Sequence, residues 1–278
     1  MIDEELRRIC ADDSEKTLFV TRPKENKSGA LSPCNMSCDD VDYEMARGKD
    51  RRILVICGMN QESLEHFVKH YGETYEALYF FKCQLISDFS PLGGLKRLKA
   101  VRIYWNIRSK GLWDMSENES LTHLAISDSK IITRDLSLLK TGKTLKKIQL
   151  MGSIFENHPL SGLSVFADLP SLESLTLHNL KLSDRNTAFL KTLQRLREFN
   201  FDAGMFTTEE IAYMCARYPH IRGTALCPYN TEDAVLNDVR VCGYRKPGLD
   251  LPEGQKRLDK YVAAFYALVE KYKTEELE

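Results

Sequence analysis

Residues 172–182 read LESLTLHNLKL, with leucine at places one, four, six, nine and eleven. Places four and six are two apart, so both side chains fall on one face of a short strand. Places one, nine and eleven flank that strand, where the turning chain drops its side chains into the same interior. The frame recurs as YEALYFFKCQL from Tyr75, LKAVRIYWNIR from Leu98, LTHLAISDSKI from Leu121, LKKIQLMGSIF from Leu145, LREFNFDAGMF from Leu196 and a degraded IRGTALCPYNT from Ile221. Successive starts lie 23, 23, 24, 27, 24 and 25 residues apart. Places one, four and six stay apolar in nearly every copy. One unit cannot bury this set alone. Parallel stacking buries it, at roughly 1.5–3 kcal/mol for each fully buried Leu or Phe.

Between the strands the pattern predicts how the chain returns. SDFSPLGGLKR (87–97) is short and rich in turn residues. SDRNTAFLKTLQR (183–195) and TTEEIAYMCARYPH (207–220) open on cap residues and space their apolar side chains as short helices. ENHPLSGLSVFADLPS (156–171) is the longest return and predicts an extra loop. Before the repeats, RRILVICG (51–58) predicts a buried strand and QESLEHFVKHYG (61–72) a helix with Leu64, Phe67, Val68 and Tyr71 on one face. KTLFVT (16–21) is expected to pair beside that strand, and 22–38 reads as a polar loop or linker. After the repeats, a helix is expected from Pro252 or Glu253. Leu258, Tyr261, Val262, Phe265, Leu268, Val269 and Tyr272 form one apolar stripe on it.

The frame resembles the leucine-rich repeat family, L-x-x-L-x-L-x-x-N/C-x-L with a period of 20 to 29 residues. The resemblance covers about residues 75–231. A G-x-R-K-P stretch at 243–247 is similar to bacterial members of unassigned role. It implies an α/β solenoid: a curved parallel sheet on the concave face, short helices or 3₁₀ turns on the convex face, and caps at both ends. The organisation expected is an N-terminal segment and linker (1–50), a capping unit or degenerate first repeat (51–74), repeats (75–231) and a C-terminal cap (232–278). Place nine, where the family carries Asn or Cys to satisfy backbone groups, is here Cys83, Asn106, Ser129, Ser153, Leu180, Gly204 and Tyr229. Only the first two match. Arg108 and Thr231 break the apolar place eleven. The stack is therefore expected to be least regular around 104–118 and after 221.

Composition narrows the function. Lys plus Arg is 39 and Asp plus Glu 40, which gives no support for a general nucleic-acid or membrane-surface binder. The start, MIDEELRRICADD, lacks an apolar run, and ILVICGM (53–59) is far too short to cross a bilayer. A soluble, cytoplasmic protein is the expectation. Eight cysteines are then small apolar fillers rather than a disulfide frame. Cys34 and Cys38 form a C-x₃-C without the two further ligands that zinc needs. His66 and His70 lie four apart without a zincin Glu and read as a solvated helix face. GKTLKK (142–147) has Ser137 where a P-loop needs Gly and runs into a strand. No metal or cofactor is expected.

The residues at places three, five and seven then carry whatever function there is. The candidate partner-binding residues are Tyr79, Phe81, Arg102, Tyr104, His123, Lys147, Gln149, Thr176, His178, Glu198, Asn200 and Asp202, with Trp105 at place eight. The early end is aromatic and the late end polar and acidic. Exposed Tyr, Trp and Arg are the composition of interface hot spots. The alternative for this patch is coverage by residues 22–50. His123 and His178 lie two repeats apart, about 10 Å, too far for a direct catalytic pair. The expectation is a non-enzymatic scaffold binding a protein or peptide on the concave sheet. The alternatives are a homodimer or complex subunit joined through residues 253–272 and, more remotely, a hydrolase.

Overall fold

The computed structural model describes Arg8, Cys10, the backbone of 18–20, and residues 35–47, 51–153, 158–232, 234 and 236–275. One eight-stranded sheet dominates it. Its strands run β1 (Leu18–Val20), β2 (Ile53–Cys57), β3 (Ala77–Phe81), β4 (Ala100–Tyr104), β5 (His123–Ser127), β6 (Lys147–Met151), β8 (Ser174–His178) and β10 (Glu198–Phe201), in that spatial order. Every pairing is parallel. The register is that of the sequence frame: Leu78 pairs Val101, Leu124 pairs Ile148, and Leu175 pairs Phe199. Places one, four and six of the six units from Tyr75 to Phe201 are each no more than 2% exposed. These are the features of a leucine-rich repeat solenoid, with β2 continuing the same register ahead of Tyr75.

Place nine explains how a divergent frame still stacks. Asn106 is fully buried, and its amide donates to the carbonyls of Cys83 and Ile86 at 2.8 and 2.9 Å. Its side-chain oxygen accepts from the Ser109 N–H at 2.9 Å. Cys83 donates its thiol to the Ile56 carbonyl one unit earlier. Ser129 does the same work one unit later: its hydroxyl donates to the Asn106 carbonyl at 2.9 Å and accepts from the Ile131 N–H. Ser129 is therefore no departure in function. Leu180 is one, because there the chain adds β9 (Leu180–Leu182). It pairs in parallel with β7 (His158–Leu160) inside the long return.

Place eight carries a backbone requirement that the apolar pattern does not reveal. Gly58, Lys82, Trp105, Asp128 and Asn179 all adopt positive φ, between 49° and 80°. Leaving the strand through the left-handed region turns the chain toward the interior, at a cost to residues other than glycine.

The returns are leaner than their spacing predicts. Residues 90–94 form a 3₁₀ turn over Ser90–Gly94, and 106–115 contain no helical turn. In 183–195 only a 3₁₀ turn over Ala188–Lys191 forms, where a short helix was expected. Asp184 and Asn186 accept the N–H groups of Asn186 and Ala188, and this diverts the chain into successive tight turns. In contrast, 208–217 is a true α-helix with a Thr207–Glu210 capping box. The degraded copy from Ile221 adds no strand to this sheet; Arg222 bridges Glu198, its carbonyl accepts the Phe199 N–H at 2.8 Å, and the Thr224 N–H donates to Asn200.

Both ends of the stack are covered. Helix α1 (Cys38–Ala46), which the reading of 1–50 as a segment and linker did not foresee, starts from a Ser37–Asp40 capping box. It packs against α2 (Gln61–Tyr71), with Val41 and Met45 joining Leu64 and Phe67. At the far end α3 is the helix Thr208–Arg217, followed by a small antiparallel sheet: β11 (Tyr229–Asn230), β12 (Val239–Val241) and β13 (Gly248–Leu249). Helix α4 (Gln255–Thr274) lies on α3; Pro252 stands ahead of it in a turn rather than at its first position. Phe265 and Val269 enter the main core, Leu258 packs on Val239, Val241 and Leu249, and Tyr272 meets Tyr213 edge-on at 5.6 Å. The stripe proposed to join a second copy is thus the face that seals the last repeat. Among the described residues, no helix is long and apolar enough to cross a membrane, and seven cysteines are free thiols. Cys34 lies outside the described residues.

Candidate binding face of the sheet

Strand pleating sends places four and six into the core, so places three, five and seven of neighbouring strands form the opposite, open face. At the early end this face is a chain of ring contacts. Tyr79 meets Phe81 edge-on at 5.9 Å, and Phe81 stacks on Tyr104 at 5.3 Å with 15° between the rings. The Arg102 guanidinium stands 5.5 Å from the Tyr79 ring. Burial pushes the Tyr79 hydroxyl above its ordinary pKa. Lys82, absent from the sequence-derived set, lies 5.3 Å over Phe81 and 4.8 Å over Trp105. Its left-handed φ of 55°, which no side-chain property in the sequence signals, folds this place-eight side chain back over the sheet edge.

The cluster is open to solvent at its edge. Trp105 is 40% and Ile107 45% exposed. Beside them lies a cavity of about 300 Å³ lined by Tyr104, Trp105, Ile107, Asp128 and His158, among others. The first strands are covered differently. Cys10 is fully buried against Ile53, Ala77 and Ala100, all at place three, and its carbonyl accepts from Arg52 at 3.1 Å. Residues 35–47 pack on the helical side with α2, away from the aromatic rings; 22–34 and 48–50 lie outside the described residues.

Toward the late end the face becomes a polar network. The Ser174 hydroxyl donates to Glu198 at 3.0 Å, and Asn200 accepts the Thr224 N–H at 3.2 Å. Asp202 binds His178 Nδ1 at 2.8 Å and accepts the Asn179 N–H at 2.7 Å. This fixes the imidazole orientation and directs Nε2 away from the carboxylate. Thr176 is largely buried between its neighbours. Lys147 and Gln149 sit on β6 between the two ends. His123 bonds the Thr122 hydroxyl at 2.8 Å on a different strand from His178, so the two histidines form no pair.

His70 is exposed, as the solvated reading expects, but His66 is half-buried and engaged. Their rings lie 4.7 Å apart, and His66 Nε2 meets Asp42 at 2.6 Å, tying α2 to α1. Tyr71 donates to the same carboxylate, and these two hydrogen bonds hold Asp42 below the usual carboxylate range. Among the described residues, no group of three His, Cys, Asp or Glu side chains is placed to hold a metal ion.

No family model and no curated protein matches the chain. Among solved structures it is similar to an internalin from Listeria monocytogenes, at 21% identity and a TM-score of 0.41 over 57% of this chain and 44% of that one. An internalin C2 from the same organism matches at 19% identity and 0.41, over 57% of this chain and 65% of that one. TLR13, in a complex with ssRNA13, matches at 13% identity and 0.43, over 61% of this chain and 27% of that one. The chain thus spans less than two thirds of each neighbour's length. The fold itself follows from the period, the register and the place-nine ladder.

Proposed function

We propose that this leucine-rich repeat protein is a non-enzymatic scaffold that binds a protein or peptide across the concave face of its sheet, anchored at the early, aromatic end. The observation that supports it is the linked cluster of Tyr79, Phe81, Arg102, Tyr104 and Trp105, open to solvent at Trp105. Aromatic rings stacked on one another are already ordered, so a partner loses little entropy in using them. The adjoining cavity offers a place for an apolar anchor. The ordered polar network from Ser174 to Asp202 supplies directional hydrogen bonds along the same surface.

The test is affinity purification with mass spectrometry from native cells, comparing the wild type with Tyr79→Ala/Tyr104→Ala/Trp105→Ala. One partner should be lost from the variant. Its affinity for the purified variant should fall at least about tenfold, while the circular dichroism melt keeps its cooperative shape. Unchanged recovery and affinity would remove the aromatic end from the binding face.

A further inference from the structure

Two arginines from distant parts of the chain converge on one exposed tyrosine at the far end of the stack. The guanidinium carbon of Arg185, which follows β9, stands 4.3 Å from the Tyr244 ring centroid. That of Arg245 stands 5.1 Å from the same ring. Tyr244 is 42% exposed, so the cluster faces solvent.

The arrangement is built by the backbone. The Gly243 N–H donates to the Ala203 carbonyl at 2.7 Å, and the Lys246 N–H closes a turn onto Gly243 at 3.1 Å. Gly243 at φ 145° and Arg245 at φ 58° set the course of that turn. Arg185 is fixed from the other side, its Nε–H donating to the Met205 carbonyl at 3.0 Å. The charge of Arg245 foremost, with Arg185 adding to it, holds the Tyr244 hydroxyl below its ordinary pKa.

Two cations drawn onto one point repel each other. Among the described residues, no carboxylate forms an ion pair with either guanidinium. The π face of Tyr244 offsets part of the repulsion, and an anion would offset the rest. Arginine presents planar donor pairs that match phosphate oxygens, and a phosphate group near neutral pH carries about two negative charges. We propose that Arg185, Tyr244 and Arg245 form a binding site for a phosphate dianion, free or esterified. The site lies on the last repeat and the C-terminal cap, apart from the aromatic end of the sheet, and stands independently of what the sheet binds.

The experiment is a titration of the isotope-labelled full chain at constant ionic strength, followed by NMR at the Arg185 Nε–H and the 243–246 amides. The probes are inorganic phosphate, phosphoserine and acetate. Phosphate or phosphoserine should shift these signals saturably and raise the titration midpoint of Tyr244. Tighter binding of phosphoserine identifies an ester as the ligand, and tighter binding of inorganic phosphate a free anion. Arg185→Gln/Arg245→Gln should weaken binding at least about tenfold. Should the double variant lose its native spectrum, Arg245→Gln alone, at an exposed loop position, carries the same comparison. Shifts that never saturate, a folded variant that binds like the wild type, or acetate binding as tightly as phosphate would overturn the proposal.

Discussion

Asn106 shows how much of the stack depends on one amide. It satisfies two carbonyls and one N–H, all buried between adjacent units. Asn106→Ala should cost at least about 2 kcal/mol in urea unfolding, because each orphaned buried polar group forfeits about 1–3 kcal/mol. Ser129→Ala, which strands fewer groups, should cost about 1 kcal/mol. Asp128 points the other way. It holds φ 49° without being glycine, and its Oδ1 is buried with no hydrogen-bond partner. Gly58 occupies the same place in an earlier unit at φ 80°. Asp128→Gly should therefore raise stability by about 1 kcal/mol, read as a higher urea midpoint at constant m-value. Residues on this scale were only half legible in the sequence. Cys83 and Asn106 match the family's place nine, but Ser129 matches it only through what its hydroxyl does. Place eight was hidden because Lys82, Trp105, Asp128 and Asn179 share a backbone angle and no side-chain property.

The elements with strong periodicity formed where the pattern puts them, and those relying on caps alone did not. Thr207 and Glu210 cap a helix that also buries Ile211, Ala212 and Met214 on the last repeat. In 183–195 only Phe189, Leu190 and Leu193 go inside, and the nucleation cost of a full helical turn is not recovered. Helix α1 went unseen because its apolar signal is two buried residues, Val41 and Met45, among acidic neighbours. Helix α4 was legible as an amphipathic stripe, yet the stripe alone does not distinguish a cap from a dimer interface. In the structure the stripe packs on α3 as a cap. Phe265, 1% exposed, is its anchor. Phe265→Ala should destabilise the protein by about 3–5 kcal/mol through the cavity it leaves. Light scattering on the eluted peak separates the two roles. A cap variant keeps the wild-type mass at lower stability, whereas a change from twice to once the chain mass would restore the dimer reading.

At the scale of the whole molecule, one sheet surface runs from an aromatic end, through Lys147 and Gln149, to a polar network, and the two caps seal its core. The candidate face was legible as a set of positions because strand alternation fixes which residues share it. Its contacts were not, since Phe81 on Tyr104 and Asp202 on His178 depend on register between units some two dozen residues apart. The seals carry a pH signature. Burial pushes the Tyr75 hydroxyl up to about 12; that hydroxyl bonds Met45 of α1. Burial likewise pushes the Cys215 thiol on α3 up to about 11, with Cys227 adding to it. In the unfolded chain the thiol ionises near 9.0 and the phenol near 10.0. The unfolded state therefore sheds these protons first as pH rises. Both groups contribute full stability below pH 9; the thiol's share is lost between about 9 and 11, and the phenol's between about 10 and 12. The slope is at most about 1.4 kcal/mol per pH unit for each group. Urea midpoints measured from about pH 8 to about pH 12 should fall for the wild type. Cys215→Ser should flatten the lower part of that decline and Tyr75→Phe the upper part. Curves parallel to the wild type would show that neither group keeps its proton in the folded state, and that the seals are wetter than their packing implies.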